Sequence, residues 1–296
     1  MYSARKGWSL VKIINQELLS GERALFKSRD LEVINSVFCD GESPLKESRN
    51  IKIKDSIFKW KYPLWYCKDI NVDNSTLLET ARSGIWYTHN INIKNSTIES
   101  PKTFRRSKNI NLTNVNIPIA TETLWNCQDI TLNNVNAKGD YFGMNSENIV
   151  IKDFNLSGNY AFDGAKNVEV YNSRLLSKDA FWNCENVTVN NSVIIGEYLG
   201  WNSKNLTFID CFIESNQGLC YVENLVIRNS KVINTDLAFE YSTVDANITT
   251  RVDSVKNPMG GRIHARGIDD LIMDDKEISS LNTKILVDEG GEENAV

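Results

Sequence analysis

The sequence predicts an all-β, single-domain solenoid, namely a right-handed, single-stranded parallel β-helix. Alternating apolar residues followed by Asn or Asp recur along most of the 296 residues, at intervals of 19 to 21 residues. A unit of that length holds about three short strands and three turns and leaves no room for an α-helix. Because one unit cannot bury its apolar side chains alone, neighbouring units must stack.

Each unit opens on an Asn or Asp that we call position zero. Degenerate copies begin at Leu10 and at Thr243, and a weaker copy lies near Arg262. About 13 coils spaced by roughly 4.8 Å predict a rod on the order of 60 Å long. The residues at position zero are Asp30, Asn50, Asp69, Asn90, Asn109, Asp129, Asn148, Asn167, Asn186, Asn205 and Asn224.

The residues that follow position zero define a strand and its closing turn. The first and third residues are apolar, as in Ile51 and Ile53, and the fifth is mostly Asn or Asp, as in Asp55 and Asn95. Asn and Asp favour turns because their side chains bond nearby backbone and tolerate left-handed conformations. A leucine-rich repeat would place its Asn one residue later, and a left-handed hexapeptide helix would keep strict 18-residue coils, so right-handedness is favoured.

The segment before position zero forms the remaining strand. The residue five before position zero is never charged, and the residue two before it is nearly always small, so both face the interior. Cys67, Cys127 and Cys184 occupy this small position. In the last unit, with position zero at Thr243, the same count places Phe239 four before, Glu240 three before and Tyr241 two before.

The residues four and three before position zero are predicted to face outward. Arg105 and Asp163 stand four before, and neither could be buried unpaired without a large desolvation penalty. Stacking of the coils then gathers aromatic and polar residues on one outer face, which we call the aromatic stripe. Its predicted ligand-binding residues are Trp65, Tyr66, Trp86, Tyr87, Arg105, Arg106, Trp125, Asn126, Asp163, Trp182, Asn183, Trp201, Asn202 and Glu240.

Composition narrows the classes of partner. The net charge of −5 and the pI of about 5.3 argue against nucleic-acid binding, and no apolar run is long enough to span a membrane. The N-terminus shows no signal peptide. The cysteines at the shared interior position lie three coils, about 14 Å, apart, beyond disulfide reach. We therefore expect six reduced cysteines and a cytoplasmic protein, for which oligosaccharides or nucleotide sugars are the expected ligands.

Several blocks of the sequence resemble those of a known protein family. "GESPLKESRNI", "YPLWYCKDI", "PKTFRRSKNI", "ETLWNC", "KDAFWNCENVTV" and "FEYSTVDANITTRVDSVKNP" resemble a family of uncharacterised bacterial proteins that is classed as a domain of unknown function. That family is similar in fold to the pectin-lyase-like right-handed β-helices. The resemblance runs from about Gly21 to Pro258 and implies this fold. It implies no activity and no catalytic residues.

Two functions are consistent with the stripe. Exposed Trp and Tyr beside Asn, Arg and acids suit an oligosaccharide, and Arg105 with Arg106, helped by Lys61, suits an anionic sugar. For these cations the alternative is a surface salt bridge to Glu122 or Asp163. The alternative function is a non-catalytic scaffold whose aromatic face is a homo-oligomer or partner interface.

Catalysis is left open. An enzyme of this kind would be a polysaccharide lyase or a glycoside hydrolase, with Asp163, Asp179 and Glu240 as candidate acids. Solvated acids on an acidic protein are the favoured alternative. No metal or cofactor is predicted, since the stripe has no cluster of three acids and the cysteine spacing matches no zinc motif.

The ends of the chain depart from the repeat. Residues 1–20 are predicted to form an N-terminal cap and a first irregular coil, and residues 21–258 the β-helix. Residues 259–287 should form short strands that cap the C-terminal end, followed by a disordered acidic tail over residues 288–296.

Overall fold

A computed structural model describes residues 12–288, which form a right-handed parallel β-helix of about 15 turns. The predicted fold class is therefore confirmed. The described residues contain no α-helix, and their two 3-10 turns are Glu79–Ala81 and Ser280–Asn282. No helix in this part of the chain is long and apolar enough to cross a membrane. The turns outnumber the 13 predicted because residues near Arg262 and Thr283 complete further turns.

One face of the rod carries a strand in every turn. Each of these strands pairs in parallel with the equivalent strand of the preceding and following turns. They are β1 (Lys12–Asn15), β3 (Arg29–Ile34), β5 (Arg49–Lys54), β7 (Lys68–Asp73), β10 (His89–Ile98), β12 (Lys108–Ile117), β13 (Gln128–Lys138), β14 (Glu147–Ser157), β15 (Lys166–Tyr171), β17 (Glu185–Asn190), β19 (Lys204–Ile209), β21 (Glu223–Ile233), β22 (Thr243–Ile248), β24 (Gly260–Ala265) and β26 (Thr283–Val287).

The other faces carry shorter strands. A second stack is formed by the ends of β10, β12, β13, β14 and β21 together with the two- and three-residue strands between them. β9 pairs with β11, and β23 pairs with β25. The strands are β2 (Leu18–Leu19), β4 (Val37–Phe38), β6 (Ile57–Phe58), β8 (Thr76–Leu77), β9 (Ile85–Trp86), β11 (Phe104–Arg105), β16 (Arg174–Leu176), β18 (Val193–Ile195), β20 (Phe212–Glu214), β23 (Arg251–Lys256) and β25 (Gly267–Ile272).

The stack continues across the segment boundaries that the sequence suggests. β1 pairs with β3 across residue 20, and β22 pairs with β24 across residue 258. Residues 1–11 and 289–296 lie outside the described residues, so most of the predicted cap and all but Asp288 of the predicted tail are not covered. The boundaries at residues 20 and 258 remain predictions.

The core is a set of apolar columns that run along the rod. Ile51 and Ile53 are buried, as predicted for the first and third positions, and Leu64 and Phe181 are buried five residues before position zero. Phe38 and Phe58 stack with ring centroids 4.3 Å apart and nearly parallel planes. Because every turn repeats the same positions, each side chain packs on its own equivalent, and burial of apolar area accumulates turn by turn.

The corners of each turn adopt the left-handed conformation that Asn and Asp tolerate. At position zero and at the fifth residue after it, φ lies between 44° and 66°. The Asn side chains also form ladders: Asn148 donates from Nδ2 to Asp129 Oδ1 over 2.9 Å, and Asn167 donates to Asn148 Oδ1 over 3.0 Å. The corner residue therefore serves both the local backbone and the contact with the next turn.

Small polar side chains satisfy the backbone at the interior corners. Ser56 Oγ accepts from the Ser36 amide over 3.2 Å and donates to the Lys54 carbonyl over 2.8 Å. Cysteine replaces serine at equivalent interior positions, and all six cysteines are free thiols, as predicted. Burial raises the pKa of Cys67 and of Cys127 to about 12, so these thiols are poor nucleophiles and act as core residues.

The unit at Thr243 lacks a residue at position zero, and this changes three assignments. Val244 pairs with Leu225, but no residue corresponds to Asn224, whose amide instead donates to Thr243 Oγ1 over 2.7 Å. The preceding residues are therefore shifted by one position. Phe239, predicted to face outward, is fully buried, whereas Tyr241, predicted to fill the small interior corner, lies on the stripe.

Replacing Asn148 by Ala should destabilise the rod by about 1 to 2 kcal/mol, because alanine disfavours the left-handed corner and removes the ladder bonds. Asn148→Gly restores the backbone freedom but not the ladder, and should lose less stability than Asn148→Ala. Urea unfolding of the three proteins measures both differences. An alanine variant as stable as the parent would contradict the role given to the corner.

Candidate functional site

The tryptophans that stand four residues before position zero lie half-buried on the outer surface. We call the set Trp65, Trp86, Arg105, Trp125, Met144, Asp163, Trp182 and Trp201 the tryptophan column. Each indole donates its N–H to a backbone carbonyl in the following turn, as Trp65 does to Ser83 over 2.6 Å and Trp125 to Tyr141 over 2.7 Å. Trp86, Trp182 and Trp201 make the equivalent bonds to Lys102, Tyr198 and Gln217. The indole donors are therefore used within the protein.

Neighbours in the tryptophan column cover one another's ring faces. Trp65 and Trp86 stack with centroids 5.1 Å apart, and Trp182 and Trp201 stack at 5.9 Å. Arg105 takes the place of a ring, because its Cζ lies 4.7 Å from the ring centroids of both Trp86 and Trp125. The column thus presents mainly ring edges to solvent, because stacking and Arg105 cover faces that neighbouring turns share.

The charge of Arg105 is neutralised within the stripe. Its Nη2 lies 3.2 Å from Glu122 Oε2, and Lys102 Nζ contacts the same oxygen at 3.1 Å. Arg105 Nε is buried without a hydrogen-bond partner among the described residues, since indoles enclose the guanidinium. Lys61 pairs with Glu42 at 3.3 Å. Of the cations predicted to bind an anion, only Arg106 keeps its side chain free of ion pairs within residues 12–288.

A second column lies beside the first, three residues before position zero. We call it the rim column: Lys27, Glu47, Tyr66, Tyr87, Arg106, Asn126, Asn145, Gly164, Asn183, Asn202, Tyr221 and, after the shift, Tyr241. Tyr66 and Tyr87 stack with parallel rings 4.7 Å apart. Five rim side chains form no hydrogen bond with another side chain or a carbonyl in the described part of the rod: Tyr66, Tyr87, Arg106, Asn126 and Asn145. Further along, Asn202 donates to Asn183 and Asn183 to Asp163, both over 2.8 Å.

Every residue of the rim column has a left-handed backbone, with φ between 50° and 69°. Asn126, Asn145 and Gly164 suit that conformation, but Tyr66, Tyr87 and Arg106 do not, and each such residue costs about 1 kcal/mol relative to its favoured conformations. The backbone alone would therefore favour Asn at these three positions. The Tyr66–Tyr87 stack offsets part of this cost, while the hydroxyl and guanidinium ends of the three side chains take no part in that stack.

The three candidate acids are each engaged by neighbouring groups. Asp179 is only 2% exposed, accepts a hydrogen bond from the Tyr160 hydroxyl, and has a pKa raised by burial. Asp163 accepts from Asn183. Glu240, which the one-residue shift moves to the level of the tryptophan column, pairs with Lys256 at 3.0 Å. None of them is placed as an open acid–base pair.

The predicted site does not include a set of tyrosines or the depressions on the surface of the rod. Tyrosines recur seven residues before position zero at Tyr62, Tyr141, Tyr160 and Tyr198, a spacing visible in the sequence, and Tyr141 stacks on Tyr160 at 4.7 Å. In residues 12–288 no three His, Cys, Asp or Glu side chains are grouped as metal ligands would be. Two shallow depressions lie off the stripe, one of them lined by Asn116, Pro118, Asn136, Lys138, Asn155 and Arg174.

Trp125→Phe should lower stability by about 1 kcal/mol more than the loss of ring area alone, because the Tyr141 carbonyl also loses its indole donor. Trp60→Phe is the matched control, since the Trp60 indole donates no hydrogen bond to another described residue. Thermal unfolding compares the two variants. Equal effects would show that the indole bond adds nothing.

Asp179→Asn should stabilise the protein at pH 7. Burial raises the folded-state pKa of Asp179 above the ordinary value of 3.8, so its favourable contribution is present below that value and is lost as pH rises. The gain from Asn should therefore shrink as pH falls towards 3.8. Thermal unfolding between pH 3.5 and 8 tests this, with exposed Asp236→Asn as the control for removing one carboxylate. A gain that grows on acidification would contradict the buried position.

The whole arrangement can be compared with known proteins. A search of curated proteins gives no match. Among solved structures the chain is similar to the surface adhesin PfbA of Streptococcus pneumoniae, at 14% identity and a TM-score of 0.34, covering 76% of this chain and 71% of that one. It is also similar to the A-module of the mannuronan C-5 epimerase AlgE4 of Azotobacter vinelandii, at 12% identity and a TM-score of 0.28, covering 93% and 87%.

A third similar structure is a tailspike protein of E. coli bacteriophage HK620 in complex with a pentasaccharide, at 9% identity and a TM-score of 0.31, covering 87% of this chain and 62% of that one. These likenesses concern the fold and assign no activity. A family described as a protein of unknown function, DUF3737, matches residues 12–286. That match spans nearly the entire described rod, and the chain therefore belongs to the DUF3737 family.

Proposed function

We propose that this protein binds a carbohydrate chain along the rim column between Tyr66 and Asn145. One observation carries the proposal: five consecutive rim residues present polar ends that bond to no other described side chain. Three of these five, Tyr66, Tyr87 and Arg106, keep a left-handed backbone in place of the Asn that the corner favours. A ligand is the partner that would make these choices useful.

The chemistry of the rim column suits a sugar chain. Its hydroxyl, amide and guanidinium groups repeat at the spacing of the turns, about 4.8 Å, and an extended polysaccharide advances by a similar length for each sugar residue. Tyr66 is 48% exposed, so its ring edge and hydroxyl are open to the outside. The tryptophan column beside it supplies a rigid apolar wall, because stacking and the indole bonds hold its rings in place.

The proposal is one of binding, and no catalytic residue is assigned. The acids predicted for catalysis, Asp163, Asp179 and Glu240, are hydrogen-bonded, buried or ion-paired and lie outside the segment from Tyr66 to Asn145. A lyase or hydrolase activity stays a prediction from the sequence. The cytoplasmic location likewise stays a prediction.

A second candidate, an interface between copies of the chain, is favoured by the far end of the rim column. Tyr221 is 43% exposed and stacks on Tyr241 with centroids 5.3 Å apart, outside the segment proposed for the sugar. Exposed aromatic area of this kind also occurs at contacts between proteins. Carbohydrate binding therefore depends on the rim column between Tyr66 and Asn145, whereas the interface depends on Tyr221 and Tyr241.

Tyr66→Asn combined with Tyr87→Asn should abolish carbohydrate binding while leaving the fold intact. Asn relieves the backbone cost of the left-handed corner, about 1 kcal/mol per residue, and the lost ring stack is worth about the same, so the thermal midpoint should stay within a few degrees of the parent's. A glycan array followed by titration calorimetry measures binding.

Tyr221→Asn is the matched control, because it makes the same change in the same column outside the proposed site. It should keep the parent's glycan affinity. Sedimentation of all variants tests the second candidate: a dimeric parent converted to a monomer by Tyr221→Asn favours the interface. A parent that binds no glycan on the array would sink the carbohydrate proposal.

A further inference from the structure

We infer that the ligand is an acidic saccharide whose anionic groups contact Lys46 and Arg106, an inference that rests on the proposed carbohydrate binding. Lys46 lies in the turn before Tyr66, and Arg106 in the turn after Tyr87. Together the four side chains form a continuous row in which two cations enclose a tyrosine pair. The sequence pointed to Arg105, Arg106 and Lys61, so the structure changes which cations are available.

The cations available to bind an anionic ligand are those that form no ion pair with a carboxylate of the protein. Lys27 pairs with Glu47 at 3.4 Å and Lys61 with Glu42 at 3.3 Å. Lys102 and Arg105 share Glu122. Within residues 12–288, Lys46 and Arg106 are the cations of this half of the stripe that lie within 4.0 Å of no carboxylate. Their charges are therefore uncompensated where the proposed ligand lies.

Both cations are held in position by the aromatic rings between them. Lys46 Nζ lies 5.6 Å from the Tyr66 ring centroid, the Tyr66 and Tyr87 centroids are 4.7 Å apart, and Arg106 Cζ lies 6.0 Å from the Tyr87 centroid. Cation–π contacts restrict long side chains that would otherwise lose conformational entropy on binding. The row occupies four consecutive turns, and the three steps between them cover about 14 Å, which is long enough for several sugar residues.

The surrounding charge makes this row distinctive. The protein carries a net charge of −5, and the other half of the stripe presents Asp163, which forms no ion pair in the described structure. Two uncompensated cations in one row therefore run against the overall charge, and they would direct an anionic ligand to this half alone. Arg106 also occupies a corner at φ 50°, where Asn would fit the backbone better.

The alternative is that Lys46 and Arg106 only cover the ends of the tyrosine stack. In that case neutral and acidic sugars would bind alike, and removing either charge would change stability rather than affinity. The experiment must therefore compare two saccharides that have the same backbone linkage and differ in charge. A β-1,4-linked glucuronic acid hexamer and cellohexaose provide this pair, because they share the linkage and differ in the oxidation of C6.

Calorimetric titration of the full chain with both hexamers should show the glucuronate binding at least about tenfold more tightly, as expected for charge-assisted hydrogen bonds. Lys46→Gln and Arg106→Gln should each lower the preference for glucuronate over cellohexaose about tenfold, because each variant removes a charge that only the acidic hexamer meets. Lys52→Gln is the matched control, an exposed lysine of the same turn on another face. It should change neither affinity.

The possible failures are distinguishable. If neither hexamer binds, the carbohydrate proposal itself falls. If both bind equally, or if the two Gln variants keep the parent's preference for glucuronate, only the acidic-ligand inference is overturned. Inorganic polyphosphate is the last probe: if it binds as tightly as the glucuronate hexamer, the row attracts any polyanion and does not recognise an acidic sugar.

Discussion

The left-handed corner is the constraint on which the rest of this rod depends. A turn of 19 to 21 residues can pair in parallel with the next only if its chain reverses sharply at fixed places, and position zero and the fifth residue after it do so with φ near 50°. Asn and Asp accept this conformation and add a bond to the next turn. The interior columns then follow, because each turn places equivalent side chains directly above one another.

The corners of the aromatic stripe obey the same geometry with different residues. At position zero nearly every turn has Asn or Asp, whereas the rim column has Asn or Gly only from Asn126 to Asn202 and other residues, such as Tyr66 and Tyr221, on either side. The first set is explained by the backbone alone. The second set is not, since Tyr66 stacks on Tyr87 and Lys27 pairs with Glu47, so contacts between neighbouring turns also decide which residues stand there.

The features predicted from the sequence are those that repeat. Alternation placed Ile51 and Ile53 in the core, and recurring Asn placed the ladders, because each depends on spacing along a single unit. The one-residue shift before Thr243 broke that spacing, so Phe239 and Tyr241 were assigned to the wrong sides. The salt bridge to Glu122, named from the sequence as the alternative for the cations, is confirmed for Arg105. The indole bond of Trp125 depends on side-chain reach between turns, which a repeat pattern does not contain.

The missing position-zero residue at Thr243 also indicates how such a rod can change over generations. The absence of a residue at position zero moves the preceding side chains of that turn by one place, buries Phe239 and brings Tyr241 to the surface. Gaining or losing a whole turn would instead leave every column in register and alter only the length. Duplication of entire turns is therefore the tolerated route to a longer or shorter binding face, while single-residue insertions exchange what lies inside with what lies outside.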